Sequence, residues 1–334
     1  MDTENKTRAG VFEFSGLASD VDLGIFLFIF FLLVYIITLV GNVGLIGIVH
    51  KTSALHTPMY YFLSYLSLVD LLYSSAVAPK MISDLISMKK VISFHGCALQ
   101  FYVFATLAGT DVLLLSNMSY DRYVAICHPL HYVSIMTKKK CLFLILLAFS
   151  LGFFQSSLQT NCIFRLDFCG SNLIDHFYCD VLPLLKLSCS DTFICELLTV
   201  FFIGSYSIVS LTTILVSYIF IISSILKIKS SKGRKKAFST CSSHLTCASV
   251  FYVSVLFTYL RPSDFLKEQD KVASVFYSVM TPMLNPLIYS LRNQEVKTAI
   301  TRAGRSLRSV VQSGLLNSWN VVGGLSVFRS LNKK

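Results

Sequence analysis

Apolar residues in this chain gather into long runs rather than short stripes or strict alternation. Seven runs stand out, near 23–49, 58–80, 97–121, 141–161, 196–226, 238–260 and 271–291. A helix needs ~20 apolar residues to cross a bilayer, and these runs reach or approach that length. The pattern predicts an all-α membrane protein, a bundle of seven spanning helices. It divides the chain into an N-terminal segment 1–22, a seven-span body 23–291 and a tail 292–334. The tail opens with Arg292, Asn293, Glu295, Val296 and Ile300, the spacing of a short amphipathic helix lying on a membrane surface. Beyond about residue 312 it turns rich in Gly, Ser and Asn and predicts no fixed structure.

Composition agrees: the 334 residues are 54% hydrophobic and only 14% charged, against about 25% charged in soluble domains. The net charge of +11 suggests nucleic acid until it is mapped. Most of the 29 basic residues sit in segments on one side: Lys51, Arg122, Lys138, Lys139, Lys140, the run 227–236 and the tail. Only Asp121 and Glu295 oppose them there. Basic loops stay in the cytoplasm, which predicts an outside N-terminus and an inside C-terminus. The basic inner face attracts anionic lipid, and no nucleic-acid partner is expected. The first apolar run is too long for a signal-peptide core of about 7–15 residues, so the first span is expected to direct its own insertion. Asn5-Lys6-Thr7 is a glycosylation sequon on the expected outer side. Asn117-Met118-Ser119 has the same form but lies in a span and should be silent.

This topology divides the ten cysteines. Cys127, Cys141, Cys241 and Cys247 fall at the cytoplasmic side or within helices and should stay reduced. Cys97, Cys162, Cys169, Cys179, Cys189 and Cys195 fall at or near the oxidising side. Counting cannot choose among their pairings. Zinc would want paired CxxC spacing or clustered histidines, and neither is present. Disulfides are the preferred reading, and the segment 162–195, with five cysteines, predicts a folded and stapled lid.

Catalytic signatures are missing: no GxSxG, no HExxH, no Gly-rich phosphate loop and no histidine-box array. His128 and His131 flank Pro129 in a loop and read as solvated or capping. The ten residues 227–236 leave no room for an inserted catalytic domain. A transporter built of duplicated halves would show internal repeats, and none is visible. Neither an enzyme nor a resident cofactor is expected.

The most specific stretch is NMSYDRYVAICHPLHY at 117–132. A charged pair such as Asp121-Arg122 at the end of an apolar helix is costly unless it is used. Alone, it reads equally as a snorkelling arginine or as a switch. It is accompanied by Gly41-Asn42, LHTPMYYFLSYLSLVDL at 55–71, KAFSTCSSHL at 236–245 and PMLNPLIYSLRN at 282–293. Together these resemble the vertebrate odorant receptors, a branch of the rhodopsin-like G-protein-coupled receptors, over about residues 10–305. The resemblance implies a seven-helix receptor for small volatile ligands in the ciliary membrane of olfactory sensory neurons. Its partners would be a stimulatory, olfactory-type G-protein α subunit with βγ, which raises cyclic AMP, and receptor-transporting chaperones.

The resemblance also assigns residues. It implies Cys97–Cys179 and Cys169–Cys189 bridges, with Cys162 and Cys195 unassigned. It makes Asp121, Arg122 and Tyr123 the G-protein switch, with Asn285 and Pro286 as hinge and Tyr289 as the moving tyrosine. Asp70 and Asp111 would face each other near Asn42 and Asn285, as at the sodium site of related receptors. Close acids should not both stay ionised without a cation, so a sodium ion or one shared proton is expected there. Tyr65, Asp111, Ser119, Ser242 and Val253 depart from the family's commoner residues. Phe104 stands where amine receptors carry aspartate, Val279 where visual pigments carry the retinal lysine, and Tyr252 where both have tryptophan. Neither an amine nor retinal is the expected ligand. No acid occurs between Glu196 and Asp264, so Arg122 cannot be locked to the sixth span. It is expected to pair with Asp121 or with neutral acceptors, while packing and polar contacts of KAFSTCSSH restrain the resting state.

A ligand cavity is expected between spans 3, 5, 6 and 7, beneath the lid. Span 3 would contribute Phe104, Ala105, Ala108 and Gly109; span 5, Ser205 and Ile208; span 6, Tyr252, Val255, Leu256 and Tyr259; and span 7, Tyr277 and Ser278. Tyrosine hydroxyls suit an aldehyde, alcohol or ester oxygen. Tyr259→Phe should weaken the response to an oxygenated agonist by about 1 kcal/mol, the worth of one net hydrogen bond. An unchanged concentration–response curve at equal surface expression would remove Tyr259 from the site.

Overall fold

The computed structural model describes residues 10–18, 20–169, 171–259, 267–292 and 295–302, without the side chains of 236, 239, 240, 258, 259, 267–269, 291 and 292. Its helices are α1 (Val21–Lys51), α2 (Pro58–Ile86), α3 (Phe94–Cys127), α4 (Tyr132–Ile135), α5 (Lys138–Ile163), α6 (Val181–Lys186), α7 (Phe193–Leu226), α8 (Ser231–Tyr259), α9 (Lys267–Val275) and α10 (Thr281–Arg292). A π turn, Phe276–Met280, joins the last two. Among the described residues, α1, α2, α3, α5 and α7 are each long and apolar enough to cross a membrane. The sixth span, α8, is apolar only over Cys241–Phe257, because its first turns carry the basic run. The seventh is divided by the π turn.

The helices run past the apolar runs because polar residues cap their ends. Asp20 accepts from Leu23 N at 3.1 Å and Ser93 from Gly96 N at 3.1 Å, each satisfying an amide that the first turn leaves free. Pro58 occupies the first turn of α2, where no amide donor is needed.

Small residues and carbonyl-seeking side chains bring the helices together. At Gly152 α5 lies directly on α3: a Cβ there would stand 2.5 Å from Thr106 O. Beside it Ser156 donates to Tyr102 O at 2.7 Å, and Tyr206 of α7 donates to Leu151 O at 2.9 Å. Side chains with nothing polar in the lipid to bond are drawn to such acceptors.

One end of the bundle is closed by a lid. Strand β1 (Val11–Phe14) lies between β2 (Val91–Ser93), antiparallel to it, and β3 (Leu173–Ile174), parallel to it. Phe12 and Phe14, on one face of β1, are buried with Phe101, Phe164, Phe168 and Ile174 in a second apolar core. Three disulfides staple this layer. The structure joins Cys97 to Cys179 and Cys169 to Cys189, and it pairs Cys162 with Cys195, which ties the top of α5 to the top of α7. Cys127, Cys141, Cys241 and Cys247 are free thiols. The lid is also latched to the seventh span. Lys271 Nζ lies 3.0 Å from Asp175 Oδ1 and donates to Ser15 Oγ at 3.1 Å. His176 Nε2 stands 3.2 Å from Ser274 Oγ. Burial, reinforced by the Lys271 ammonium, pushes His176 down to about 3, so its ring is neutral at pH 7.

At the other end residues 295–302 are helical, with Val296 and Ala299 buried and Tyr60 OH donating to Glu295 Oε2 at 2.8 Å. The short helix expected after the seventh span is therefore docked against the start of α2.

Candidate functional site

Under the lid lies a cavity of about 90 Å³. Its α3 wall is made by Phe104, Ala105, Ala108 and Gly109, and Val255 of α8 and Tyr277 of the π turn also line it. Five other expected positions lie elsewhere. Ser205 donates back to Phe202 O, and Ile208 is 67% exposed toward lipid. The face of α7 that meets the cavity carries Phe202, Ile203, Tyr206 and Ser207, and helical rotation turns Ser205 and Ile208 away from that stripe. Tyr252 donates to Ser210 Oγ, which in turn donates to Val112 O at 3.0 Å. It therefore ties α8 to α7 and α3 instead of facing the cavity. Ser278 donates to Ser274 O at 2.6 Å within its own helix, and Leu256 does not reach the lining. The side chain of Tyr259 and all of Asn5 lie outside the described residues.

The lining includes groups that sequence reasoning missed: Tyr73 of α2, Gln155 and Gln159 of α5, and Asp180 and Val181 from the lid. Tyr73 stacks on Phe104 with ring centroids 4.7 Å apart. Asp180 is held by Tyr178 OH at 3.1 Å and Tyr277 OH at 3.4 Å. Two glutamines four residues apart in an apolar span were the signal available for α5, since amides there face a neighbouring helix or a cavity and not lipid.

Deeper, the second cluster forms around the seventh span. Asn285 Nδ2 donates to Asp70 Oδ1 and Oδ2 at 3.1 and 3.0 Å. Pro286 has no amide hydrogen, so the carbonyl four residues back, Pro282 O, loses its helical donor. Asn42 Nδ2 supplies one from α1, at 3.0 Å. Asn42 is thus first a splint across the proline break, a role the sequence reading did not give it. Asp111 Oδ1, Asn42 Oδ1 and Asn285 Oδ1 are buried oxygens with no hydrogen-bond partner. Buried amide and carboxylate oxygens left unsatisfied are the ligand type that a hard cation such as sodium takes, and two acids can instead share a proton.

The third cluster lies at the basic end. Asp121 and Arg122 make no ion pair. Neighbouring helix positions point apart, and Asp121 Oδ1 accepts from Tyr132 OH of α4 at 2.8 Å. Burial and the Asp121 carboxylate hold the Tyr132 phenol well above its usual range. Arg122 Nε is buried without a partner, so of the two expected arrangements, a pair with Asp121 or neutral acceptors, the first is not the one formed. Tyr123 OH lies 3.0 Å from His128 Nε2, and Tyr289 is buried in the bundle. His244, within KAFSTCSSH, is fully buried. Its Nε2 donates to Leu115 O of α3 at 3.0 Å, and Tyr218 OH of α7 shares its one hydrogen between Nδ1 at 2.9 Å and Cys241 O at 3.0 Å. One imidazole thereby ties α8 to both α3 and α7 where no acid is available.

With this geometry in place, likeness to known proteins is informative. The family profile described as olfactory receptor matches residues 31–305. Olfactory receptor 5G9 of Mus musculus is 51% identical over 303 residues, covering 90% of this chain and 96% of that one. Olfactory receptor 5B12 of Homo sapiens is 49% identical over 309 residues, covering 92% and 98%. The crystal structure of squid rhodopsin aligns with a TM-score of 0.66 at 18% identity, covering 86% of this chain and 87% of that one. At that identity it supports the seven-helix fold alone.

The Asn42 splint can be tested without any ligand. Asn42→Ala leaves Pro282 O buried without its donor, a loss of about 1–3 kcal/mol. The purified protein should unfold several degrees lower, and an unchanged midpoint would show that the contact contributes nothing.

Proposed function

The chain belongs to the olfactory receptor family, and from that membership we propose how it works: small, mostly apolar volatile ligands bind in the cavity under the lid. It is a multi-pass membrane receptor and not an enzyme. The observation that carries the ligand reading is the cavity itself, lined by aromatic and small side chains with a few convergent polar groups, as small-molecule sites are. In this reading the lid faces outward, where its disulfides persist, and the basic end faces the cytoplasm. The cell membrane of olfactory cilia is the proposed location.

Ligand favours the active arrangement only by its differential affinity for it. Val255 and Tyr277 line the cavity, so an occupant bears on α8 and on the π turn above the Pro286 break together. The resting arrangement is the one in which His244 ties α8 to α3 and α7. Release of that tie lets the cytoplasmic end of α8 move outward, and the groove it opens takes the C-terminal helix of a stimulatory, olfactory-type Gα with its βγ partner. Cyclic AMP then rises. Arg122, held by no carboxylate, is free to meet that helix. Receptor-transporting chaperones are the proposed partners on the way to the surface.

Two measurements test this reading. In cells expressing the chain, a chemically broad odorant panel should raise cyclic AMP, and Arg122→Ala should abolish the rise at equal surface expression. A response that survives the substitution would remove the arginine from the switch. At the inner polar cluster, a sodium ion or a shared proton between Asp70 and Asp111 would hold the resting state. Asp111→Asn should then raise ligand-free cyclic AMP and remove its dependence on sodium; both unchanged would end that proposal.

A further inference from the structure

Gln155 sits one turn beyond Gly152, where α5 lies on α3, and only 7% of it is exposed. Its Nε2 donates to Gln159 Oε1 at 3.3 Å, while its own Oε1 has no partner. The free oxygen lies against the bare backbone of Gly109: a Cβ built there would stand 2.8 Å from it. Both residues line the cavity under the lid. A buried amide oxygen left unsatisfied is costly, so this wall gains most from an occupant that brings a hydrogen to it.

The rest of the lining makes that requirement selective. Tyr206 OH is committed to Leu151 O, and among the described residues no Lys, Arg or His lines the cavity. Asp180 adds a second acceptor, already engaged by Tyr178, Tyr277 and the amide of Val181. A carboxylate ligand would therefore meet acceptors and no cation. An ammonium would give up its water for a neutral amide and for an Asp180 carboxylate whose oxygens are already taken by three donors, a poor exchange for a buried charge. An aldehyde, ester or ether brings only lone pairs to an oxygen that already has its own.

We propose that the cavity selects small neutral alcohols or phenols, whose O–H donates to Gln155 Oε1 across the bare backbone of Gly109. This inference rests on the reading of the cavity as the odorant site and narrows it to one functional group. Gly109 takes part by having no side chain, which leaves the amide its place.

The test compares matched compounds on one carbon skeleton (the alcohol, its aldehyde or ketone, and its methyl ether) by cyclic AMP in cells with measured surface receptor. Alcohols should be about tenfold more potent than either partner, roughly the worth of one buried hydrogen bond. Gln155→Met and Gln155→Leu should bring the alcohol down to the potency of its ether. Gly109→Ala, which displaces the amide from a different helix, should do the same and serves if the Gln155 variants fail to reach the surface. Alcohols no better than their ethers, a preference for the carbonyl compound, or an alcohol preference that survives these substitutions would overturn the inference while the receptor reading stands. A surface-expressed chain that answers none of the compounds, nor any of a broad odorant panel, overturns both.

Discussion

Lipid offers no hydrogen-bond partner to a peptide group, and this single constraint organises the molecule. It forces the chain into helices, and it then governs how those helices meet. At contact after contact the link is a side chain donating to a helix carbonyl on a neighbour: Asn42 to Pro282 O, Gln100 to Ala76 O, Ser156 to Tyr102 O, Ser210 to Val112 O and His244 to Leu115 O. Apolar packing adds area but little direction, because lipid tails are as apolar as leucine. The polar contacts fix which helix lies against which, and at what height.

They also divide the molecule into a firm half and a yielding half. The lid end is held by three disulfides, a three-stranded sheet and an aromatic core. The basic end is held by hydroxyls, an imidazole and one phenol on Asp121. Covalent staples do not exchange, whereas neutral hydrogen bonds can be traded one for another at modest cost. The proposed motion therefore falls to the yielding half, while the stapled end keeps its shape.

Much of this was legible in the residues. The seven apolar runs located the helices, since a membrane span declares itself by length. The free and bonded cysteines divided along the expected sides. The wall of α3 could be read because Phe104, Ala105, Ala108 and Gly109 share a face by simple spacing. The α7 positions failed for the same reason in reverse: in a helix apolar all round, periodicity does not say which stripe faces inward, and Ile208 faces lipid. Gln155 was visible as an amide in an apolar span, but its free oxygen depends on where α3 lies, which sequence does not record. Asn42 needed the same kind of information, because its partner is a carbonyl exposed by a proline 244 positions later.

The placement of β1 bears on how the chain is made. This strand is made before both of its neighbours, β2 by two helices and β3 by four of the long ones. Its pairing with β3 spans 160 residues, from Glu13 to Leu173. Pairings so distant in sequence close slowly, because the intervening loop must be ordered first. During synthesis Phe12 and Phe14 therefore wait for Phe164, Phe168 and Ile174, the partners in their apolar core that are made much later. A strand made early is thus among the last to find its place, and until then its aromatic face lacks the cover that the finished lid gives it.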